Sequence, residues 1–321
     1  MKFIGIDIAK ATFVAAYPQL SGYQTRSYSN DSKGVKKFIQ SISNEQHHCV
    51  LEATGNYSTL LLYMLANHKI SVSLLNPKQI KHFARMMLTV TKTDHVDAKL
   101  IALYGEKMQP PLFKMPTGTI IVLKQKKVIL RQLKKQSISL NNLKESFNVL
   151  PEVDKDSLRV LNKTAKFIEK QIQDIETDIS NLTTEVFGKQ IKALTSIKGI
   201  GITLATSLII STGAFAQFEN SKQLSRYIGI CPTYQKSGSS INIKGAIKRN
   251  GDSDLRAILY LASWSAIKYN TACKETYERL KANGKPSKVA LIAVANKLIR
   301  QAFAICKAET VYIDGYSSKF C

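Results

Sequence analysis

The sequence predicts three parts: an α/β domain over residues 1–117, a central helical coiled-coil hairpin over 118–190, and a mostly α-helical C-terminal domain over 191–321. The first is read from short apolar runs that alternate with amphipathic helical segments, as in an α/β sheet. The second is read from apolar residues that step by four and three from Leu161 to Val186. The third opens on a Gly-x-Gly turn and a long uncharged run, Gly199 to Phe218, which reads as a buried helix.

The opening run Phe3-Ile4-Gly5-Ile6-Asp7-Ile8-Ala9-Lys10 is a buried strand with one carboxylate set into it. An ionised Asp in such a strand costs several kcal/mol unless a cation or hydrogen bonds compensate. Two readings follow: Asp7 is a ligand of a hard divalent ion with other carboxylates beside it, or it ends the strand and caps a helix beginning near Lys10. Gly5 permits close approach to the backbone.

Thr12 to Tyr17 continues as a second strand and Tyr23 to Tyr28 alternates as a third, so a hairpin sheet forms. Asn30-Asp31-Ser32 is a helix start, followed by Val35, Phe38, Ile39 and Ile42 on one face. Cys49-Val50-Leu51-Glu52-Ala53 repeats the opening device, an apolar strand ending in an acid. A turn at Thr54-Gly55-Asn56-Tyr57 leads to a helix over Thr59 to Asn67, and Ile70 to Leu75 is the next strand. Sites gather at strand ends in such sheets, which lets Asp7 and Glu52 meet. In Lys92-Thr93-Asp94-His95-Val96-Asp97, Thr93 or Asp94 caps a helix, and Asp94 and Asp97 share its first turn. Acids in a first turn are also ordinary helix chemistry. With Asp7 and Glu52 they make four carboxylates, a coherent set for Mg²⁺ (or Mn²⁺), and two hard ions so bridged orient a phosphodiester. His95 points elsewhere and reads as structural.

Composition narrows the partner. Forty-six Lys and Arg against 23 Asp and Glu give +23, a balance suited to neutralising phosphates, so DNA or another nucleic acid is favoured. Hydrophobic residues make up 44%, enough for a core without disulfides. The five cysteines are scattered, with no CxxC pair, which argues against a disulfide framework or zinc site and fits a reducing cytoplasm. The N-terminus does not read as a signal peptide. The Gly199–Phe218 run, with three Gly and scattered Ser and Thr, is a poor membrane span, so no membrane role is expected.

The strings GIDIAK, EATGNY and KTDHVDA, in this order, resemble the acidic motifs of the RuvC-like (RNase H-like) DEDD domain of the IS-one-ten family of insertion-sequence recombinases, which includes the Piv-type DNA invertases. The resemblance implies that Asp7, Glu52, Asp94 and Asp97 are the metal-binding, catalytic acids. It also implies a bacterial, nucleoid-associated enzyme of cytoplasmic location.

From Thr119 the pattern is helical. Leu123, Leu130, Leu133, Leu140 and Phe147 form a stripe, with Lys124, Lys127 and Arg131 among the cations on its polar face, and Pro151 breaks the run. Leu161, Ala165, Ile168, Ile172, Ile175, Ile179, Leu182 and Val186 make the second arm. Two arms around Pro151 form a hairpin, either internal only or also pairing subunits; the resemblance implies a coiled coil used for assembly into a dimer to tetramer. Helix, Gly199-Ile200-Gly201 and helix present free N–H groups to a phosphate beside Lys198, or make a tight turn with no ligand. The missing third Gly and the helical segment before the turn argue against a dinucleotide fold.

The segment Tyr234-Gln235-Lys236-Ser237-Gly238-Ser239-Ser240, followed by Lys244, Lys248, Arg249 and Arg256, reads by itself as a cationic loop. All five His lie in the first third, so no Ser-His-Asp triad assembles. The resemblance extends to this string, and implies that Ser237 is the nucleophile of a covalent phosphoserine intermediate and, in many members, that a structured non-coding RNA guides the choice of DNA. Lys236, Lys244, Lys248, Arg249 and Arg256 join Lys124, Lys127, Arg131 and Lys198 as expected nucleic-acid contacts. Lys198 and Cys231 depart from residues common in the family. The stretch with Trp264, Tyr269 and Lys285-Pro286-Ser287-Lys288, and a helix over Val289 to Lys307, read as a packed basic cap. Rival classes are an actin-like ATPase or kinase, which the remaining acids fit poorly, a binding protein without chemistry, and a hydrolytic Holliday-junction resolvase in which water attacks.

Overall fold

The computed structural model describes residues 1–43, 45–89, 91–232, 235–237, 241–243, 247 and 251–315, and the chain divides into two compact units, Met1–Met115 and Pro116–Cys321. The first holds a five-stranded sheet in the order β3-β2-β1-β4-β5. Strands β1 (Lys2–Ile8), β2 (Thr12–Pro18) and β3 (Tyr23–Ser29) are an antiparallel meander, and β4 (His47–Glu52) and β5 (Ser71–Leu75) run parallel to β1. β1 turns directly into β2, with Ala9 N–H donating to Thr12 C=O. No helix starts near Lys10, so the reading of Asp7 as a helix cap is overturned.

Because strand side chains alternate, Ile4, Ile6 and Ile8 enter one core with Phe13, Phe38, Leu51, Leu61 and Leu65. That face is closed by α1 (Ser32–Gln40), capped by the Asp31 carboxylate on Gly34 N, and α2 (Thr59–Asn67). Phe3 and Gly5 face the other side, which is covered by α3 (Pro77–Met86) and α4 (Asp94–Met108). An Asn76–Gln79 capping box with Pro77 in the first turn starts α3.

The second unit begins with a hairpin of α5 (Gly118–Phe147) and α6 (Lys155–Thr195), whose antiparallel arms are bridged by Lys126–Asp178 at 2.7 Å and Lys134–Glu176 at 2.6 Å. Leu161, Ile168 and Ile179 of the second arm are buried, whereas Val186 is 47% exposed. At Phe187 the helix kinks (φ −119°, ψ 26°), and burial passes to Thr183, Phe187, Ile191 and Leu194. These continue into a large core shared with Ile120 and Leu123 and with α7 (Ile202–Thr212), α8 (Ser221–Ile228), α9 (Ser253–Tyr269) and α11 (Ser287–Ala308). α10 (Thr271–Ala282) adds Cys273. α11 is long and apolar enough to cross a membrane, but Val294, Ala295, Leu298 and Ile299 on it belong to this core. Gly199 has φ +101°, and a Cβ there meets Ala266 Cβ at 2.7 Å, so the Gly-x-Gly turn is seated on α9.

Candidate active site

The acids are brought together by one close contact between a helix and a strand. A Cβ on Gly5 stands 2.1 Å from Ala102 N and 2.2 Å from Ala98 O, so only glycine lets the α4 backbone lie on β1. A Cβ on Gly105 meets Phe3 Cδ1 at 2.9 Å, which shows α4 running antiparallel to β1. Two strand residues advance about 6.6 Å, and four helix residues about 6 Å. Passing from Gly5 to Asp7 therefore passes from Ala98–Ala102 toward Asp94 and Asp97 in the first turn. Thr93 caps that turn, its hydroxyl accepting from Val96 N at 3.2 Å. On the other flank the parallel register pairs Gly5 with Val50 and Ile6 with Leu51, so the next pair in line is Asp7 and Glu52.

Electrostatics report the same convergence. Burial, then the charges of Asp97, Asp94 and Glu52, push the Asp7 carboxyl up to about 6. Burial and Asp97 raise Glu52, with Lys92 opposing; burial raises Asp97 most, with Lys92 opposing and Asp94 reinforcing. Asp7, Glu52 and Asp97, partly buried carboxylates that resist ionisation, fit a hard divalent cation, which favours the charged forms. Among the described residues no three His, Cys, Asp or Glu side chains close into a cage around one point. The carboxylates thus share a field without closing on one point, and Asp94 is exposed. Lys92, the cation beside them, was not singled out from the sequence, although it leads the KTDHVDA string. Nor was Asn30, whose amide donates to Ala9 O and Tyr57 O and ties the end of β1 to the segment after Glu52. His95 holds β3 through Thr25 Oγ1 at 2.9 Å, a structural tie.

Ser237 closes the short strand β6 (Gln235–Ser237), which pairs antiparallel with β7 (Ile241–Ile243), Ser237 opposite Ile241. Lys236 lies on the same strand; Lys244, Lys248 and Arg249 fall outside the described residues. Of the other expected phosphate contacts, Lys198 is exposed and Lys124 is half-buried, burial and then Lys127 lowering its pKa. Arg131 reaches Asp254 at 3.9 Å, Lys127 reaches Asp252 at 3.5 Å, and Arg256 donates to Ile228 O at 2.9 Å.

An α/β unit that gathers acids at one strand end, followed by a strongly basic helical unit, defines a DNA-acting protein of the transposase and recombinase class. The sequence matches a DEDD transposase family of IS110 elements over residues 4–147 and the Transposase IS116/IS110/IS902 family over residues 191–278. It is 30% identical over 315 residues, 95% of each chain, to the pilin gene-inverting protein of Moraxella bovis, and equally to that of Moraxella lacunata. It is 23% identical to the transposase for insertion sequence element IS1111A of Coxiella burnetii, over 98% of this chain and 92% of the other. The chain belongs to the IS110 family of transposases.

Proposed function

We propose that this protein is a site-specific DNA recombinase that breaks and rejoins strands through a covalent ester on Ser237, with Mg²⁺ (or Mn²⁺) held by Asp7, Glu52, Asp94 and Asp97. The observation that carries the reading is the seating of α4 on Gly5, which supports it by turning the first turn of α4, with Asp94 and Asp97, toward the end of β1, where Asp7 feels both charges. The ion, when bound, stabilises charge developing on the phosphate oxygens. Asp7 and Glu52 would hold it from the β1–β4 strand pair, and Asp97 and Asp94 from the first turn of α4. The Ser237 hydroxyl oxygen attacks phosphorus, its O–P bond forms as the P–O bond to the 3′ or 5′ strand oxygen breaks, the serine proton ends on that oxygen as a free strand hydroxyl, and the ester keeps the bond energy for rejoining. The reading includes a RuvC-like fold for the first unit, which the mixed five-stranded sheet supports, and contact of the basic residues Lys124, Lys198, Lys236, Lys244, Lys248 and Arg249 with phosphates.

On a labelled, nicked substrate, wild type gives a protein-linked band that protease removes. Ser237→Ala and Asp97→Ala bind DNA within a few-fold and give none, whereas Ser239→Ala and Ser240→Ala retain it. Cleavage by Ser237→Ala at the wild-type rate makes water the nucleophile and the protein a resolvase-like nuclease. The similarity to gene-inverting proteins over 95% of the chain favours inversion as one outcome of strand exchange, alongside movement of an element. A guide RNA belongs to the same reading; sequencing the nucleic acid that copurifies tests it, and recovery of host fragments alone rejects it.

A further inference from the structure

The segment between α8 and α9 carries Ser237, and both of its stems are gripped by one partly buried polar cluster. At the exit, Gly251 has φ +139° and a Cβ there lies 2.3 Å from Tyr227 O and 2.8 Å from Ile228 O, so the backbone at Gly251 is pressed against the end of α8, where the segment begins. Asp252 follows. Its Oδ1 accepts from Asp254 N at 3.1 Å and Leu255 N at 3.0 Å, starting α9, and its Oδ2 accepts from the Ser211 hydroxyl at 3.0 Å. At the entry, the Tyr227 hydroxyl donates to Ser211 C=O at 3.1 Å, and Arg256 donates to Ile228 C=O at 2.9 Å. Ser211, at the end of α7, thus receives both stems.

Lys127 closes the cluster from α5. Its ammonium donates to Ser211 Oγ at 2.9 Å and stands 3.5 Å from Asp252 Oδ2, with both charged side chains only 23% exposed. One helical turn on, Arg131 faces Asp254 at 3.9 Å, an exposed and weaker rung. A charge this enclosed and this fully occupied is poorly placed to neutralise a phosphate. Burial would raise the Asp252 carboxyl, yet the Leu255 amide, the Lys127 charge and the Ser211 hydroxyl hold it below its ordinary value. The Asp252 carboxylate therefore stays ionised across neutral pH.

We propose that Lys127 is a positioning residue for strand cleavage: from the hairpin it locks Ser211 and Asp252, and through them fixes the two stems of the segment on which Ser237 is carried. The inference rests on the reading of Ser237 as nucleophile. It assigns a role to a lysine that sequence pattern places among the phosphate contacts, and the two roles have opposite signatures. A phosphate contact sets affinity and salt dependence. A lock sets the rate at which bound DNA reacts, since misplacing a reacting group by about 1 Å costs up to ~10²-fold.

The test uses the full-length protein with Lys127→Met, Asp252→Asn and the double variant, Asn being chosen because it also caps helices. Expected for Lys127→Met is a fall of about tenfold or more in the single-turnover rate of adduct formation on nicked DNA, with the DNA dissociation constant within twofold of wild type and an unchanged salt slope. Amide exchange at Asp254 and Leu255 speeds up. The double variant recovers part of the rate, because no unpaired charge is left, a coupling that two independent contacts lack. Ser211→Ala, which keeps the charge pair, serves should Lys127→Met not fold, and slows the adduct with unchanged affinity. Weaker binding with a salt slope reduced by about one, indifferent to Asp252, overturns the lock. So does an unchanged adduct rate in Lys127→Met while Ser237→Ala is dead. An adduct formed equally by Ser237→Ala overturns the serine reading, and this inference with it.

Discussion

At the scale of single residues, Gly5 and Asp7 set the terms of the site. Any side chain at position 5 strikes the backbone of α4 rather than a flexible group, so Gly5→Ala must push the helix outward. The expected cost is about 1–3 kcal/mol of stability by denaturant unfolding, with cleavage lost even where the protein remains folded, because Asp94 and Asp97 move with the helix. An active variant would separate the acids from the chemistry. Asp7 gives a pH signature. Folding raises its carboxyl from the ordinary 3.8 to about 6, so between those values the metal-free fold keeps a proton that the unfolded chain has lost. Stability is therefore highest below about pH 4 as far as this group is concerned, and falls as pH rises through about 6. In chelator, Asp7→Asn should melt above wild type at pH 7, and the difference should shrink toward pH 4. Mg²⁺ should raise the wild-type midpoint at pH 7, lose that effect below about pH 6, and leave Asp7→Asn unmoved. Equal midpoints for the two proteins in chelator count against a shared carboxylate field.

At the scale of elements, the hairpin separates folding from assembly. Ile179 is 6% exposed and packs in the core, whereas Phe167 is 63% exposed on the same helix. Ile179→Lys should unfold the unit or cost about 3 kcal/mol or more, a charge having no partner there. Phe167→Lys should leave the melt unchanged and, if this arm pairs subunits as the reading implies, lower the mass by light scattering; an unaltered mass makes the hairpin internal. The elements also show what pattern alone reveals. β1 to β5, α1 with its Asp31 cap and the first turn of α4 follow from periodicity and capping residues whose partners lie within a few positions. α3 was legible in Asn76-Pro77 and Gln79 but was not read, since its apolar face is only Ile80 and Phe83. β6 and β7 span three residues each, too short for alternation to register. The seating of α4 on Gly5 spans ninety-odd positions and the Lys127–Asp252 pair more than a hundred, and no local pattern encodes either. The glycine and the string of acids were visible; that they face one another was not.

For the whole molecule, charge placement is the governing fact. Residues 1–115 contain seven Asp and Glu, and the charges of three of them, Asp97, Asp94 and Glu52, act on a fourth, Asp7, inside a chain of net charge +23. If the acids are the reacting point, as proposed, a basic chain suited to phosphate carries there a patch that repels it until a cation is bound. Two dependences should therefore appear together in binding measurements. DNA affinity should fall linearly with the logarithm of salt concentration, reflecting release of counterions by the basic residues. Superimposed on that, the double variant Asp7→Asn, Glu52→Gln should bind DNA about two- to tenfold tighter than wild type in chelator, because two negative charges near the phosphate are gone and salt screens such a field only in part. Adding Mg²⁺ should tighten wild type and leave the variant unchanged, so that the two curves meet or cross. The variant remains inactive throughout, which separates gain of binding from gain of chemistry. Were the wild type to bind as tightly in chelator as the double variant, the acids would lie too far from the bound phosphate to act on it, and the catalytic metal would have to be sought elsewhere in the chain.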